Sequence, residues 1–155
     1  MPSDLRSDIK QRKPFDSPEQ EAHLNIERTA AVLSHAFAEA LKSHGITPTQ
    51  YNVLRILRGA GTDGLCRNEV RDRMIAQVPD VTRLLDRLED AGLIERERST
   101  EDRRQVGTRI TAKGLQLLSD LDDPVAEIHR RQLGHLSAAQ LKTLADLLTI
   151  ARQRP

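Results

Sequence analysis

The sequence predicts a mainly α-helical protein that carries one small β-hairpin. Over most of the 155 residues, apolar side chains return every three or four positions, as they do along one face of a helix. Serine, threonine and glycine stand at the ends of these stretches, where they start and stop helices. Two short extended runs, 93–98 and 105–110, flank a charged segment and predict the hairpin. Only 2% of the residues are aromatic, so the core must be aliphatic, and we expect a subunit interface to complete its burial.

The polar stretch 1–16 is predicted to form an N-terminal arm. Pro14 disfavours helix in the residue before it, and Phe15 is an isolated apolar anchor. Two interpretations remain open for this arm. It either frays in solvent or docks Phe15 on a partner subunit.

A long helix is predicted to follow the arm. Ser17, Pro18 and Gln20 provide an N-cap, a first-turn proline and a capping-box partner, and Gly45 ends the helix. The predicted apolar stripe consists of Ile26, Ala30, Leu33, Phe37 and Leu41. Because this length exceeds what one small core can cover, we expect residues 17–46 to form an N-terminal dimerisation helix.

The same start signature recurs at Thr47, Pro48 and Gln50, which predicts a second helix to about Leu57. Residues 59–64 are predicted to form a loop. A short helix, 68–74, then begins a helix-turn-helix. Its N-cap, Cys66, is a poor hydrogen-bond acceptor, although Glu69 stands at the reciprocal capping position. Such turns often contain glycine, but β-branched Ile75 resists a positive φ here, which puts the approach angle of the next helix in question.

The next helix is predicted to span 78–91, with Pro79 in its first turn and Gly92 ending it in a left-handed conformation. Its apolar face is predicted to consist of Val81, Leu84, Leu85 and Leu88. The hairpin follows directly, and Leu65 is expected to add one residue of strand beside it. Residues 47–114 are therefore predicted to form a winged helix-turn-helix.

Residues 115–155 are predicted to form C-terminal dimerisation helices. Pro124 must kink or break the first of them, and Gly134 stops it. Ser137 and Gln140 form a last capping box before a leucine-rich final helix.

The winged helix-turn-helix predicts binding to double-stranded DNA. A helix fits the major groove and reads base edges, while an arginine-bearing hairpin tip reaches the minor groove. The candidate DNA contacts are Arg67, Asn68, Gln77, Asp80, Thr82, Arg83, Arg87, Arg103 and Arg104. Asp102 is expected to hold the wing tip in shape by bonding an arginine or wing amides, because phosphates repel a carboxylate. The net charge of +1 gives no signal by itself, so the positive charge must be unevenly distributed.

Three motifs in one order resemble the MarR family of bacterial transcription regulators. They are DVTRLLDRLEDAGLIER, the wing segment STEDRR and the closing TRITAKG. Asp102 and Arg104 match the aspartate and arginine of the family's wing motif, and Thr111 with Gly114 match its close. The resemblance implies an obligate homodimer on a pseudo-palindromic operator, often released by a small molecule or by oxidation. It also implies an aromatic-acid site near His35 and Tyr51, although either side chain could instead be a half-exposed polar residue.

Other classes of function are weaker. The chain has one cysteine, scattered histidines and no assembled nucleophile, phosphate loop or metal cluster, so we expect no cofactor, no metal and no catalysis. Two interpretations remain open for Cys66, an oxidisable switch or a partly buried small residue, and the second is the commoner case for a cysteine near a helix start. No membrane span or signal peptide is apparent, and we expect a cytoplasmic protein. The alternative function is a winged-helix protein-interaction module without direct operator reading.

Overall fold

The computed structural model describes residues 4–98 and 106–153, the side chain of Val106 excepted. The helices are α1 (Leu5–Asp8), α2 (Pro18–Lys42), α3 (Pro48–Ala60), α4 (Arg67–Arg73), α5 (Val81–Asp90), α6 (Ala112–Leu133) and α7 (Ala138–Arg152). The strands β1 (Ile94–Arg98) and β2 (Val106–Ile110) pair antiparallel, with Ile94 opposite Ile110 and Arg98 opposite Val106. The predicted fold class, a mainly α winged helix-turn-helix with a small hairpin, is confirmed. The chain divides into two compact units, Met1–His44 and Gly45–Pro155.

The first unit contains α1 and α2. The arm is more folded than predicted, because the Asp4 carboxylate accepts from the Ser7 amide at 2.9 Å and starts a turn of helix with Leu5 buried. Ser17 caps α2 as predicted, its hydroxyl accepting from the Gln20 amide at 3.1 Å. The Gln20 side chain, however, accepts from the amide of Asp16 rather than of Ser17, at 2.7 Å. Whether the half-buried Phe15 docks on a partner stays a prediction.

The core of the second unit lies between α3, α6 and the hairpin, with α4 and α5 packed beside it. Its fully buried side chains are Val53, Leu54, Leu57, Val70, Leu85, Leu88, Ile94, Thr108, Leu118 and Leu121. Apart from Thr108 all are aliphatic, as the low aromatic content predicts. A bidentate ion pair between Arg58 of α3 and Asp122 of α6, with N–O distances of 3.0 and 3.1 Å, also joins these helices. Hydrogen bonding to Arg58 holds the pKa of Asp122 below its usual value.

The start of the second unit confirms one prediction and corrects another. Thr47 and Gln50 form the predicted capping box of α3, with distances of 3.0 and 3.2 Å. The predicted loop at 59–64 is instead largely helical, since α3 continues to Ala60 and a 3₁₀ turn covers Gly61–Asp63. Leu65 pairs with Thr108 as a single bridge residue, as predicted, through bonds of 2.7 and 2.9 Å.

Two helix boundaries differ from prediction around the helix-turn-helix. Helix α4 is Arg67–Arg73, one residue earlier at each end than expected. Helix α5 begins at Val81 rather than at residue 78, so Pro79 lies before the helix and not in its first turn. The physical reason is a better cap, because Asp80 offers a carboxylate to the free amides of the first turn. Gly92 adopts φ 73° after the helix, as predicted.

The C-terminal helices follow the predicted pattern except at Pro124. Helix α6 runs unbroken from Ala112 to Leu133 with Pro124 inside it. Of the two predicted outcomes, the break is therefore wrong and the kink stays a prediction. Buried Leu121 and Val125 on either side anchor the helix while the proline removes only one backbone hydrogen bond. Ser137 and Gln140 form the predicted capping box of α7, at 2.9 and 3.2 Å.

Candidate nucleic-acid interface

The candidate interface is the outer face of α5. Val81, Leu85 and Leu88 are buried on its inner side, while the predicted contacts Thr82, Arg83 and Arg87 are exposed. This separation follows from the helical period, which puts these polar residues away from the apolar stripe. The outer face therefore presents one hydroxyl and two guanidinium groups, the side chains that bond base edges and phosphates.

The N-terminal end of α5 is fixed by Asp80. Its carboxylate accepts from the Arg83 amide at 2.9 Å, which places a negative charge where the helix dipole favours one. Asp80 thus has a capping role, and its predicted contact with DNA stays a prediction. Gln77 is exposed in the non-helical segment before α5.

Helix α4 supplies two further predicted contacts, Arg67 and Asn68, both exposed in its first turn. Arg67 donates through Nη1 to the hydroxyl of Thr82 at 3.1 Å and so joins the two helices. The helix start is capped despite the weak acceptor at Cys66, because the Cys66 amide donates to the Glu69 carboxylate at 2.7 Å. That hydrogen bond holds the pKa of Glu69 below its usual value.

The turn between α4 and α5 departs from a glycine turn, as expected. Ile75 does not adopt a positive φ. Its amide donates instead to the side-chain oxygen of Asn52, on α3, at 3.0 Å. Sequence reasoning missed Asn52, because nothing local marks a residue 23 positions away as the partner of this turn.

A second missed residue is Arg96, which ties the wing to α5. Its side chain is only 21% exposed, and its guanidinium contacts Asp86 at 2.6 Å and Glu89 at 2.9 and 3.2 Å. These hydrogen bonds lower the pKa of Glu89 and raise that of Arg96. The positive charge of Arg96 is therefore taken up by these two carboxylates. The signal that could have found Arg96 is a pair of carboxylates three residues apart on α5, Asp86 and Glu89, followed by an arginine at the third position of the next strand.

The closing motif TAKG holds the other end of α5. Thr111 donates from its hydroxyl to the carbonyl of Gly92 at 2.7 Å and accepts from the Gly114 amide at 3.2 Å. Lys113 donates to the carbonyl of Ala91 at 2.7 Å. A Cβ on Gly114 would collide with the carbonyl oxygen of Leu93. The motif therefore starts α6 and also supports the C-terminal end of α5.

The tip of the wing, with Asp102, Arg103 and Arg104, lies outside the described residues. At the described base of the hairpin, Arg109 pairs with Glu97 across the strands at 3.5 Å.

The two candidate ligand-binding residues belong to different units. His35 is exposed on α2. Tyr51 is buried, not half-exposed, and its hydroxyl accepts from Arg55 at 3.2 Å while the guanidinium carbon lies 6.0 Å from the ring centroid. Their shared role in ligand binding stays a prediction.

Within the described ranges, no three His, Cys, Asp or Glu side chains are grouped to hold a metal ion. Nor is any helix in those ranges both long enough and apolar enough to cross a membrane.

Comparisons with known proteins agree with this geometry. The MarR family model matches residues 44–105. The HTH-type transcriptional regulator MhqR of Bacillus subtilis is 31% identical over 109 residues, which cover 70% of this chain and 73% of MhqR. The crystal structure of a MarR transcription factor from Planctomyces limnophilus is 42% identical with a TM-score of 0.69, covering 88% of this chain and 99% of that one.

A second similar structure is a mutant MarR from E. coli complexed with operator DNA. It is 24% identical with a TM-score of 0.79 and covers 97% of this chain and 100% of its own. Fold, motifs and relatives lead to one conclusion. The chain belongs to the MarR family of winged-helix, DNA-binding transcription regulators.

Proposed function

We propose that the chain is a homodimeric repressor that places one α5 in each of two successive major grooves of a pseudo-palindromic operator. The observation that carries the proposal is the outer face of α5, where Thr82, Arg83 and Arg87 are exposed above a buried apolar stripe. Dimeric helix-turn-helix proteins hold such helices about 34 Å apart, one turn of DNA. A protein seated across two grooves represses by occupying DNA that the transcription machinery must enter.

The terminal helices support a dimer. Large apolar side chains are exposed on α2 at Ile26 and Val32, and on α7 at Leu147 and Ile150, with exposures of 42% to 63%. Along α7, which the structure describes in full, no residue is buried. A second copy of the chain would remove this apolar surface from water, and symmetric dimers are the commonest way to do so.

The remaining predicted contacts extend the interface on both sides of α5. Arg67, Asn68 and Gln77 would bond phosphates or base edges beside the recognition helix, and Asp80 would hold its end. Arg103 and Arg104 would reach the flanking minor groove, with Asp102 holding the wing tip. The operator-bound relative from E. coli supports this arrangement by fold.

We infer that a small aromatic ligand, for which His35 and Tyr51 are the candidate binding residues, releases the operator. A ligand need only favour a different separation of the two α5 helices by a few kcal/mol for the dimer to leave the operator. The protein would act by binding alone, without catalysis or cofactor, in the cytoplasm, where its DNA would lie. Its named relatives are transcription regulators, which supports this assignment.

The test is selection of bound fragments from random duplex DNA, followed by affinity measurements on the selected site. We expect a two-fold symmetric sequence with half-sites about ten base pairs apart. Arg83→Ala should relax the preference at a defined base or cost about 1 to 3 kcal/mol. The matched control is Arg130→Ala, because Arg130 is exposed on α6 and pairs with Glu127 on its own helix. Equal losses for both variants, or no selected sequence, would refute the proposed function.

A further inference from the structure

The hydrogen bond between Arg67 and Thr82 joins the first helix of the helix-turn-helix to the reading end of the second. Arg67 is the first residue of α4, and Thr82 is the second residue of α5. Nη1 of the guanidinium lies 3.1 Å from Oγ1 of the hydroxyl. Both side chains are exposed on the side where α4 and α5 contact each other.

The backbones that carry this pair are firmly placed. Val81, directly before Thr82, is buried, and the Asp80 carboxylate caps the same helical turn. On α4, the Glu69 carboxylate binds the Cys66 amide next to Arg67, and Val70 is fully buried. Only the side-chain torsions remain free, so a hydrogen bond between the two side chains sets the direction of the threonine hydroxyl.

The chemistry of the pair fixes which partner donates. A guanidinium has only donors, whereas a hydroxyl has one proton and two lone pairs. The Thr82 oxygen must therefore accept from Arg67 with one lone pair. The positive guanidinium polarises the hydroxyl, so its proton becomes a better donor and its remaining lone pair a weaker acceptor. In the major groove guanine, adenine and thymine each present an acceptor, but cytosine presents only its amino donor.

We propose that Arg67 is a positioning residue that presents Thr82 mainly as a hydrogen-bond donor, so that each half-site disfavours cytosine at the base facing Thr82. This inference rests on the proposed function, because it needs α5 to lie in the major groove. It adds a rule for one base that the exposed face of α5 alone does not give.

The experiment compares fragment selection from random duplex DNA for wild type, Thr82→Val, Arg67→Ala and the double variant. Valine keeps the shape of threonine without its hydroxyl. Among the fragments that the wild-type protein selects, cytosine at one position of each half-site should be about two- to tenfold rarer than in the random pool. That factor is the scale of one neutral hydrogen bond. Thr82→Val should abolish this depletion, and Arg67→Ala should weaken it at the same position.

The double variant separates positioning through Thr82 from a direct base contact by Arg67. If Arg67 acts through Thr82, adding Arg67→Ala to Thr82→Val changes no base preference. Arg71→Ala is the matched control, since Arg71 is exposed on the same helix and pairs with its neighbour Asp72. It should leave the cytosine depletion intact, and thermal unfolding should show all variants folded.

Two failures are distinguishable. In the first, the wild-type protein selects a defined site and Arg67→Ala leaves the depletion of cytosine unchanged. That result overturns the positioning role alone. A wild-type protein that selects no sequence overturns the proposed function together with this inference.

Discussion

The ammonium nitrogen of Lys113 lies 2.7 Å from the carbonyl oxygen of Ala91, so the first turn of α6 caps the C-terminal end of the recognition helix. A cation at this end of a helix is favourable because the last carbonyls carry partial negative charge. The contact also joins α5 to α6, the helix that packs on α3. A local substitution at Lys113 therefore tests how firmly α5 is held.

Lys113→Met keeps the length of the side chain but removes the charge. We expect the free energy of unfolding to fall by about 0.3 to 1 kcal/mol, measured by urea denaturation. Lys142→Met is the control, because Lys142 pairs with Asp146 on the exposed surface of α7. If both variants unfold as the wild type does, the Lys113 cap contributes nothing.

Arg96→Met leaves Asp86 and Glu89 without their shared cation. We expect a loss of about 1 kcal/mol in the free energy of unfolding, since the pairs are partly exposed. DNA affinity should fall as well, because two uncompensated carboxylates then face a polyanion. The control Arg98→Met changes an exposed arginine on the same strand. Adding Asp86→Asn and Glu89→Gln to Arg96→Met should recover affinity, and no recovery would contradict the charge-balancing role.

The stability that Arg96 provides should depend on pH. Its hydrogen bonds lower the pKa of Glu89 from about 4.5, so the folded state binds this proton less readily than the unfolded state. The stabilisation is therefore complete above about pH 4.5 and is lost as pH falls through the lowered pKa. The difference in unfolding free energy between wild type and Arg96→Met should be constant at neutral pH and narrow in acid. A difference that widens in acid would contradict this sign.

Gly114→Ala and Gly59→Ala form a matched pair. An added Cβ at Gly114 collides with the Leu93 carbonyl, and we expect a loss of about 1 to 3 kcal/mol. At Gly59, near the end of α3, a Cβ meets nothing within 4 Å, so alanine should stabilise by about 0.5 to 1 kcal/mol. Thermal unfolding checks both. Equal shifts of the unfolding temperature with the same sign would contradict the close approach between Gly114 and the Leu93 carbonyl.

Asn52→Ala removes the acceptor that holds the amide of Ile75 in the turn before α5. We expect a loss of about 1 kcal/mol in stability and weaker DNA binding, because the approach angle of α5 is no longer fixed. Asn52→Asp keeps an acceptor oxygen and should retain the turn. If alanine and aspartate behave alike, the hydrogen bond does not set the turn.

Much of the fold could be predicted because its signals are local. The caps at Ser17, Thr47 and Ser137 each need only residues three positions apart, and all three are present. The predicted start of α5 was wrong, and the reason is also local. Pro79 suits a first turn, but the neighbouring Asp80 is the better cap. At Pro124 the helix does not break, because packing on either side holds it, and no short window reveals that packing.

The candidate site was less predictable, because its supports come from distant parts of the chain. Thr82, Arg83 and Arg87 follow from helical period and are exposed as expected. Asn52 and Arg96 act through partners on other elements, so only their tertiary neighbours show what they hold. The roles of the wing-tip residues in DNA binding, and of His35 and Tyr51 in ligand binding, stay predictions.

The central claim is that paired α5 helices read duplex DNA through their outer arginines. Its most direct test is the affinity for the selected operator across a salt series, with stoichiometry measured by analytical ultracentrifugation. We predict one dimer per operator, affinity that falls steeply with salt, and a shallower salt slope or a lost base preference for Arg83→Ala. A monomer that binds duplex DNA equally well at low and high salt, with Arg83→Ala indistinguishable from wild type, would contradict it.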